Sequence, residues 1–357
     1  MRKCFRLLAL MIVALAGAGC QAIGPGTIKR DRIDYVSAIG DSWKQQTLLN
    51  ITKLRYFDTP VFLDISSVIS SYTLQGELTV EATLFSGSRS PNERTLGATG
   101  TYVDRPTISY APLTGQRFIN VLLRPIPPQA IFAMIQSGHP ADYILQATVR
   151  AINDIYSYTT SPASARLEEP EFYRLIDALR RIQAAGALAT RSEKRRNEEV
   201  TLVYFRENVP ESVAQDIRYL REALGVRPDQ RELLLTFGSP GPGRGEIALL
   251  TRSILQILVE LSAGVEVPES HRAEGRARPA PGASGQAGSR DVPLVRIRSG
   301  AVQPQDAYAA VHYRDHWFWI DDRDLGSKRV FTFLMMFSSI AETGVLPQAP
   351  VLTIPAN

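Results

Sequence analysis

The most regular pattern of apolar and polar residues lies in the second half of the chain. From Pro170 onwards, large apolar side chains recur every three or four positions, at Phe172, Leu175, Ile176, Leu179 and Ile182. This period matches the turn of an α-helix and predicts an amphipathic helix. A second helix is predicted in the same way by Val213, Ile217, Leu220 and Leu224.

Short β-prone runs alternate with these helices. Strands are predicted at residues 200–205, 232–237, 294–298, 308–313 and 316–320, and a last helix at residues 327–342. Residues 246–263 predict a further helix that is apolar except for a stripe at Arg252, Gln256 and Glu260, so it is expected to be buried over most of its circumference. The C-terminal half therefore predicts the order β-α-β-α-β-β-β-α.

The first half of the mature chain has a weaker pattern of the same kind. A helix is predicted at residues 34–56, followed by strands at 61–65, 74–84 and 97–110, and then by helices at about 128–137 and 140–157. The expected fold class is α+β, with mixed helices and mostly antiparallel sheet. Two regions are predicted, 34–160 and 170–345, with an extended tail at 346–357.

One internal segment cannot contribute to a core. Residues 268–291 are rich in Pro, Gly, Ala, Ser and Arg and have almost no large apolar side chain. Such a composition cannot offset the entropy lost on ordering. We expect a flexible loop there.

The N-terminus has the order of features found in a secretory signal. Three basic residues precede an apolar run at residues 7–16, and small residues lead to Cys20. About 20 apolar residues are needed to span a bilayer as a helix, and this run is too short. Residues 1–19 are therefore predicted to be a signal peptide.

The residues around Cys20 resemble the lipobox of bacterial lipoproteins, in which the cysteine is acylated and becomes the new N-terminus. The resemblance implies membrane attachment through acylated Cys20, with residues 20–33 as a lipidated tether; an ordinary cleaved signal peptide is the alternative. Gln21 stands where Asp would signal retention at the inner membrane. This favours the outer membrane, with the protein facing the periplasm.

Composition excludes several kinds of chemistry from the mature protein. Its two cysteines are Cys4, in the signal, and Cys20, so no disulfide or thiolate site is expected. The net charge of +4 falls to +1 when the three basic residues of the signal are removed. A nucleic-acid binder needs a basic surface, and the dense run at residues 191–196 is interpreted as a solvated helix end. We expect no nucleic-acid partner and no cofactor.

Asp321, Asp322 and Asp324 lie just before the predicted last helix. Aspartates at this position cap the free N–H groups of a helix and complement its dipole. Three carboxylates can also bind a hard cation, so a metal site, and with it a hydrolase using this cluster, is the weaker alternative.

The two strands before that helix predict a hairpin. A two-residue turn at Arg314-Asp315 pairs Tyr313 with His316 and His312 with Trp317. His312 and His316 then lie on opposite faces, which disfavours a zinc site. One face carries Tyr308, Ala310, His312, Trp317 and Trp319, and it is either buried between layers or an exposed platform for a partner. Tyr308, His312, Trp317 and Trp319 are the candidate partner or ligand residues.

Three stretches carry a resemblance to a known group of proteins. They are the runs at residues 58–64 (DTPVFLD), 105–115 (RPTISYAPLTG) and 316–324 (HWFWIDDRD). Together they resemble a family of proteobacterial lipoproteins of unknown function. The resemblance implies a Gram-negative envelope location and supplies no catalytic residues. The expected function is a non-catalytic binding or scaffold component of the envelope, with an envelope protein or a glycan as partner.

Overall fold

The computed structural model describes residues 25–69, 72–83, 93–104, 107–157, 170–195, 198–227, 230–241, 245–277 and 293–341. The predicted signal peptide, Cys20 and the tail at 346–357 lie outside the described residues, as does the part of the predicted loop from residue 278 onwards.

The chain forms two compact units. Of the described residues, the first unit combines those from Pro25 to Pro60 with those from Ile119 to Ala341, and the second contains those between Val61 and Phe118. This division differs from the predicted one into 34–160 and 170–345. The reason is that the strands at residues 149–156 and those between residues 188 and 251 belong to one sheet.

Among the described residues, the helices begin with α1 (Pro25–Arg55) and the four-residue α2 (Gly115–Phe118), which a π-helical turn (Ile119–Leu123) follows. The remaining helices are α3 (Pro128–Gln136), α4 (Ala141–Thr148), α5 (Pro170–Ala184), α6 (Glu211–Ala223), α7 (Ile254–Ser262), α8 (Glu269–Ala273) and α9 (Leu325–Ala341).

The strands of the second unit are β1 (Leu63–Ile69), β2 (Tyr72–Thr83), β3 (Glu93–Asp104) and β4 (Thr107–Pro112). β1 pairs with β4 and β2 with β3, both antiparallel. The strands of the first unit are β5 (Val149–Ile152), β6 (Ile155–Tyr156), β7 (Leu188–Arg195), β8 (Glu198–Phe205), β9 (Glu232–Phe237), β10 (Glu246–Thr251), β11 (Arg298–Gly300), β12 (Ala307–Tyr313) and β13 (His316–Asp321).

A six-stranded sheet organises the first unit. Its strand order is β6-β5-β10-β9-β8-β7, antiparallel except for the β9–β10 pair. A separate three-stranded sheet has the order β11-β13-β12. α1 packs on α7 and on β12, and α9 packs on α4 and α7. The protein is therefore α+β with mostly antiparallel sheets, as the sequence predicts.

The predicted helix at 246–263 is wrong in its first third, because Glu246–Thr251 is strand β10. β10 lies inside the sheet, between β5 and β9, and is buried on both faces. An apolar run without alternation has the same appearance in a buried strand and in a buried helix. Helix α7 starts only at Ile254, with Ser253 and Gln256 forming a capping box.

Two other helical predictions change for related reasons. The helix predicted at 140–157 ends at Thr148, because Val149–Ile152 is strand β5, which a tight turn at Asn153 and Asp154 (φ of 44° and 66°) joins to β6. The cationic run at 191–196 is not a helix end, since residues up to Arg195 belong to β7. β7 is an edge strand, where charged side chains are common because they block pairing with other chains.

Two predicted flexible segments contain helix. α1 begins at Pro25, before the predicted start, although Ile33 and Val36 are 58% and 63% exposed, so no apolar period marks that part. The loop predicted at 268–291 starts with helix α8, whose His271 is buried.

A buried arginine joins the sheet to helix α4. Arg252 is only 4% exposed. Its guanidinium donates to the carbonyl oxygens of Gln146 (3.0 Å), Ala147 (3.3 Å) and Val149 (2.6 Å) and to the Ser157 hydroxyl (3.0 Å). Its backbone N–H donates to the Thr148 carbonyl. One residue thus satisfies the carbonyls that the end of α4 leaves without helical partners, and its charge complements the helix dipole.

Candidate functional site

The β12–β13 hairpin has the predicted turn and register. Arg314 and Asp315 have positive φ values of 49° and 61°, as a two-residue hairpin turn of type I′ requires. Tyr313 pairs with His316 and His312 with Trp317, which confirms the predicted pairs. From Ala309 to Ile320 the two faces of the hairpin therefore carry the predicted sets of side chains, whereas Tyr308 lies at a register shift.

The two faces differ in burial. Val311, Phe318 and Ile320 are buried beneath the sheet. On the opposite face His312 is exposed, and Trp317 and Trp319 are half-buried. We call His312, Trp317 and Trp319 the tryptophan face. The His312 and Trp317 rings meet edge-on with centroids 5.4 Å apart.

The fourth predicted residue, Tyr308, has other contacts. Its ring lies under the ammonium groups of Lys44 at 5.1 Å and Lys328 at 5.3 Å, and its hydroxyl is 3.1 Å from Thr332 Oγ1. Tyr308 therefore joins the hairpin to helices α1 and α9. A shift in strand register between Ala307 and Ala309 separates Tyr308 from the regular part of the hairpin.

Strand β11 extends the tryptophan face. Gly300 pairs with Trp317 and Arg298 with Trp319. A side chain at Gly300 would meet the Trp319 indole, since an added Cβ there would lie 3.2 Å from Trp319 Cη2. Arg298 lies 3.4 Å from the carboxylate of Asp321.

This ion pair also lines a cleft of about 860 Å³. One wall comes from β11, β13 and the start of α9, and the other from α4 and α5. The polar lining consists of Asp142, Tyr143, Gln146, Tyr173, Asp177, Arg296, Arg298, Asp321, Arg323, Asp324 and Ser327. The cleft lies within the range of volumes typical of small-molecule sites.

The structure does not bring Asp321, Asp322 and Asp324 together as one ligand set. Asp321 accepts from the Arg323 backbone and contacts Arg298, whereas Asp322 binds the Lys328 ammonium at 2.6 Å. In the part of the chain that the structure describes, no group of three or more His, Cys, Asp or Glu side chains is arranged to hold a metal ion.

Asp324 caps helix α9. Its carboxylate accepts from the backbone N–H of Ser327 at 3.0 Å and from the Ser327 hydroxyl at 2.7 Å. Burial raises the pKa of Asp324, but these hydrogen bonds and the nearby Arg296 together lower it by more, so the net pKa lies below its usual value. The carboxylate is thus held in its charged form, as a helix cap needs.

A second polar cluster, which we call the tyrosine–histidine cluster, lies on the buried side of the hairpin. Its members are Tyr56, Asp58, His271, Tyr313, Arg314 and His316. The Tyr56 hydroxyl lies 2.8 Å from His271 Nδ1, and the His271 and His316 rings meet edge-on with centroids 4.7 Å apart. Asp58 binds the Tyr313 hydroxyl and, at 2.7 Å, the Arg314 guanidinium.

Several pKa values in the tyrosine–histidine cluster are displaced together. Burial raises the pKa of Tyr56 to about 12. Burial and the neighbouring His316 lower the pKa of His271. The hydrogen bond from Tyr313, together with Arg314, lowers the pKa of Asp58. Tyr56 is thus neutral and Asp58 charged at neutral pH, and the cluster is a fixed set of polar contacts.

Sequence patterns could not reveal this cluster. Its members come from the end of α1, from α8 and from the hairpin turn, and Asp58 lies 256 positions from Arg314. His271 also falls in the segment predicted to be a flexible loop. The available signal was a lone histidine in a segment otherwise poor in large side chains.

The chain matches no protein-family model, no curated protein and no solved structure. The likeness to proteobacterial lipoproteins stays a prediction. Among the described helices, none combines the length and the apolar content that crossing a bilayer requires.

Proposed function

We propose that this chain is a lipoprotein of the Gram-negative outer membrane, attached through acylated Cys20, whose periplasm-facing body binds or scaffolds an envelope partner without catalysing a reaction. The tryptophan face supports the binding role. Tryptophan presents a large apolar area with a polar N–H and is enriched at the centres of binding surfaces. Two of the three tryptophans of the chain lie on this face.

The hydrolase alternative has less support. A carboxylate pair that acts as acid and base needs both groups directed at one substrate atom. Here Asp324 caps a helix, Asp322 binds Lys328, and Asp321 contacts Arg298. A structural and binding role fits this arrangement better.

Replacing the predicted acylation site tests the anchoring. We expect Cys20→Ser to remove the protein from the outer-membrane fraction, because a hydroxyl cannot receive the diacylglyceryl group. Mass spectrometry of the mature N-terminus should show the acyl chains only on the wild type. Cys4→Ser is the matched control and should change neither the fractionation nor the mass. A Cys20→Ser protein that is still cleaved before residue 20 and still fractionates with the outer membrane would contradict the anchoring.

Replacing the central tryptophan tests the binding surface. We expect Trp317→Ala to lose a partner that co-purifies with the wild type after cross-linking in intact envelopes, because a buried interface tryptophan often accounts for 2 kcal/mol or more of binding. Trp43→Phe, in α1, is the matched control. If both variants retain the same partners as the wild type, the tryptophan face is not the binding surface.

A further inference from the structure

The tryptophan face and the cleft form one continuous surface. Arg298 lies opposite Trp319 in the β11–β13 register, and Asp321 follows Trp319 on the same face of β13. Both charged side chains also line the cleft. They are accessible, with 44% of the Arg298 side chain and 23% of that of Asp321 exposed. A ligand that extends beyond the two tryptophans therefore contacts this ion pair and then enters the cleft.

The two indoles have the spacing of a platform for rings. Residues two apart on a strand lie on one face, about 7 Å apart. Trp319 is held in place because Gly300 leaves room for its ring, and Trp317 is braced by His312. The large apolar area of an indole ring packs against the C–H-rich face of a sugar ring.

The charges of the cleft are mixed. Its lining contains Arg296, Arg298 and Arg323 on the basic side, and Asp142, Asp177, Asp321 and Asp324 on the acidic side. A strongly anionic or cationic ligand would meet like charges as well as opposite ones, which is costly. A hydroxyl group both donates and accepts hydrogen bonds, so a neutral polyhydroxyl ligand can satisfy both sets of side chains.

We propose that a neutral oligosaccharide binds along this surface, with one or two sugar rings on Trp317 and Trp319, its hydroxyls on Arg298 and Asp321, and its next unit in the cleft. This inference rests on the proposed binding function and specifies the ligand class for that surface. Charge-assisted hydrogen bonds to Arg298 and Asp321 orient the sugar, and the indole rings provide the apolar contact area.

Direct binding to defined sugars tests the inference. The probes are chitotetraose, cellotetraose and maltotetraose, all of which are neutral. The mature chain from residue 21 onwards, produced without the signal and without lipid, is titrated by calorimetry and by tryptophan fluorescence. We expect saturable binding of at least one probe, weakened at least about tenfold by Trp317→Ala and comparably by Asp321→Asn, with Trp43→Phe unchanged.

The outcomes are separable from those of the proposed function. If no probe binds at millimolar concentration, or if a probe binds equally to wild type, Trp317→Ala and Asp321→Asn, the oligosaccharide proposal is overturned. If no probe binds but Trp317→Ala still loses a cross-linked protein partner, the binding function stands with a protein ligand. If the variants lose neither binding of a sugar probe nor a cross-linked partner, both the oligosaccharide proposal and the binding function are overturned. Near-UV circular dichroism of each variant shows that loss of binding is not loss of folding.

Discussion

Arg252→Met is expected to lower the free energy of unfolding by about 3–5 kcal/mol. The guanidinium is the donor to three carbonyls and a hydroxyl that are shielded from water. Each buried acceptor left without a donor costs about 1–3 kcal/mol. Methionine fills most of the volume but donates no hydrogen bond. Burial of the charge is unfavourable and lowers the pKa of Arg252, but removing the charge gains less free energy than the lost hydrogen bonds cost.

Urea unfolding followed by circular dichroism measures this change. Arg252→Lys should lose less than Arg252→Met, because an ammonium keeps a charge and up to three donors. Arg218→Met is the surface control, since the Arg218 side chain is 63% exposed, and it should unfold like the wild type. Equal stability of Arg252→Met and the wild type would show that the end of α4 is satisfied in another way.

His271→Ala is expected to cost about 3 kcal/mol at pH 7.5. The change leaves a cavity and removes the partner of the Tyr56 hydroxyl, and a buried hydroxyl without a partner costs about 1–3 kcal/mol. Differential scanning calorimetry of the wild type and of His271→Ala measures this loss of stability. Tyr56→Phe should cost less, because it removes the hydroxyl together with its bond.

The contribution of His271 should also depend on pH. Its pKa in the folded state lies below the unfolded value near 6.5, so the unfolded chain takes up the proton first as the pH falls. The stabilisation is therefore complete above about pH 6.5 and is lost as the pH falls towards the folded pKa. His271→Gln keeps an acceptor but cannot titrate, so its stability should decline less than that of the wild type between pH 7.5 and 5. Equal declines would contradict a neutral buried His271, and the exposed His312→Gln is the control.

Local patterns predicted those parts of the fold that local chemistry determines. The hairpin turn at Arg314-Asp315 and its register follow from turn length and alternation alone, and both are confirmed. Asp324 caps α9, in the role favoured for it from sequence. The helices at α5 and α6 follow from their apolar period.

The failures are at positions where tertiary context decides. Glu246–Thr251 is a strand because it lies between two other strands, and a run buried on both sides has no alternation to read. Arg252 was predicted as one polar residue of a helical stripe, whereas its role depends on carbonyls about 105 positions earlier. The cleft and the tyrosine–histidine cluster likewise join segments that lie far apart in the sequence, so no local pattern predicts either of them.

The connectivity of the first unit has a consequence for how the chain matures. Thr47 of α1 contacts Met335 of α9 across 288 positions, and α1 also packs on α7 and β12. A chain that is synthesised from its N-terminus therefore presents Leu48 and Ile51, which are fully buried in the folded protein, long before α7, β12 and α9 have been made. Contacts of such wide separation slow folding, and apolar surface left open in the interval attracts other chains. Helix α1, the first helix that the structure describes, is thus among the last elements whose packing is completed.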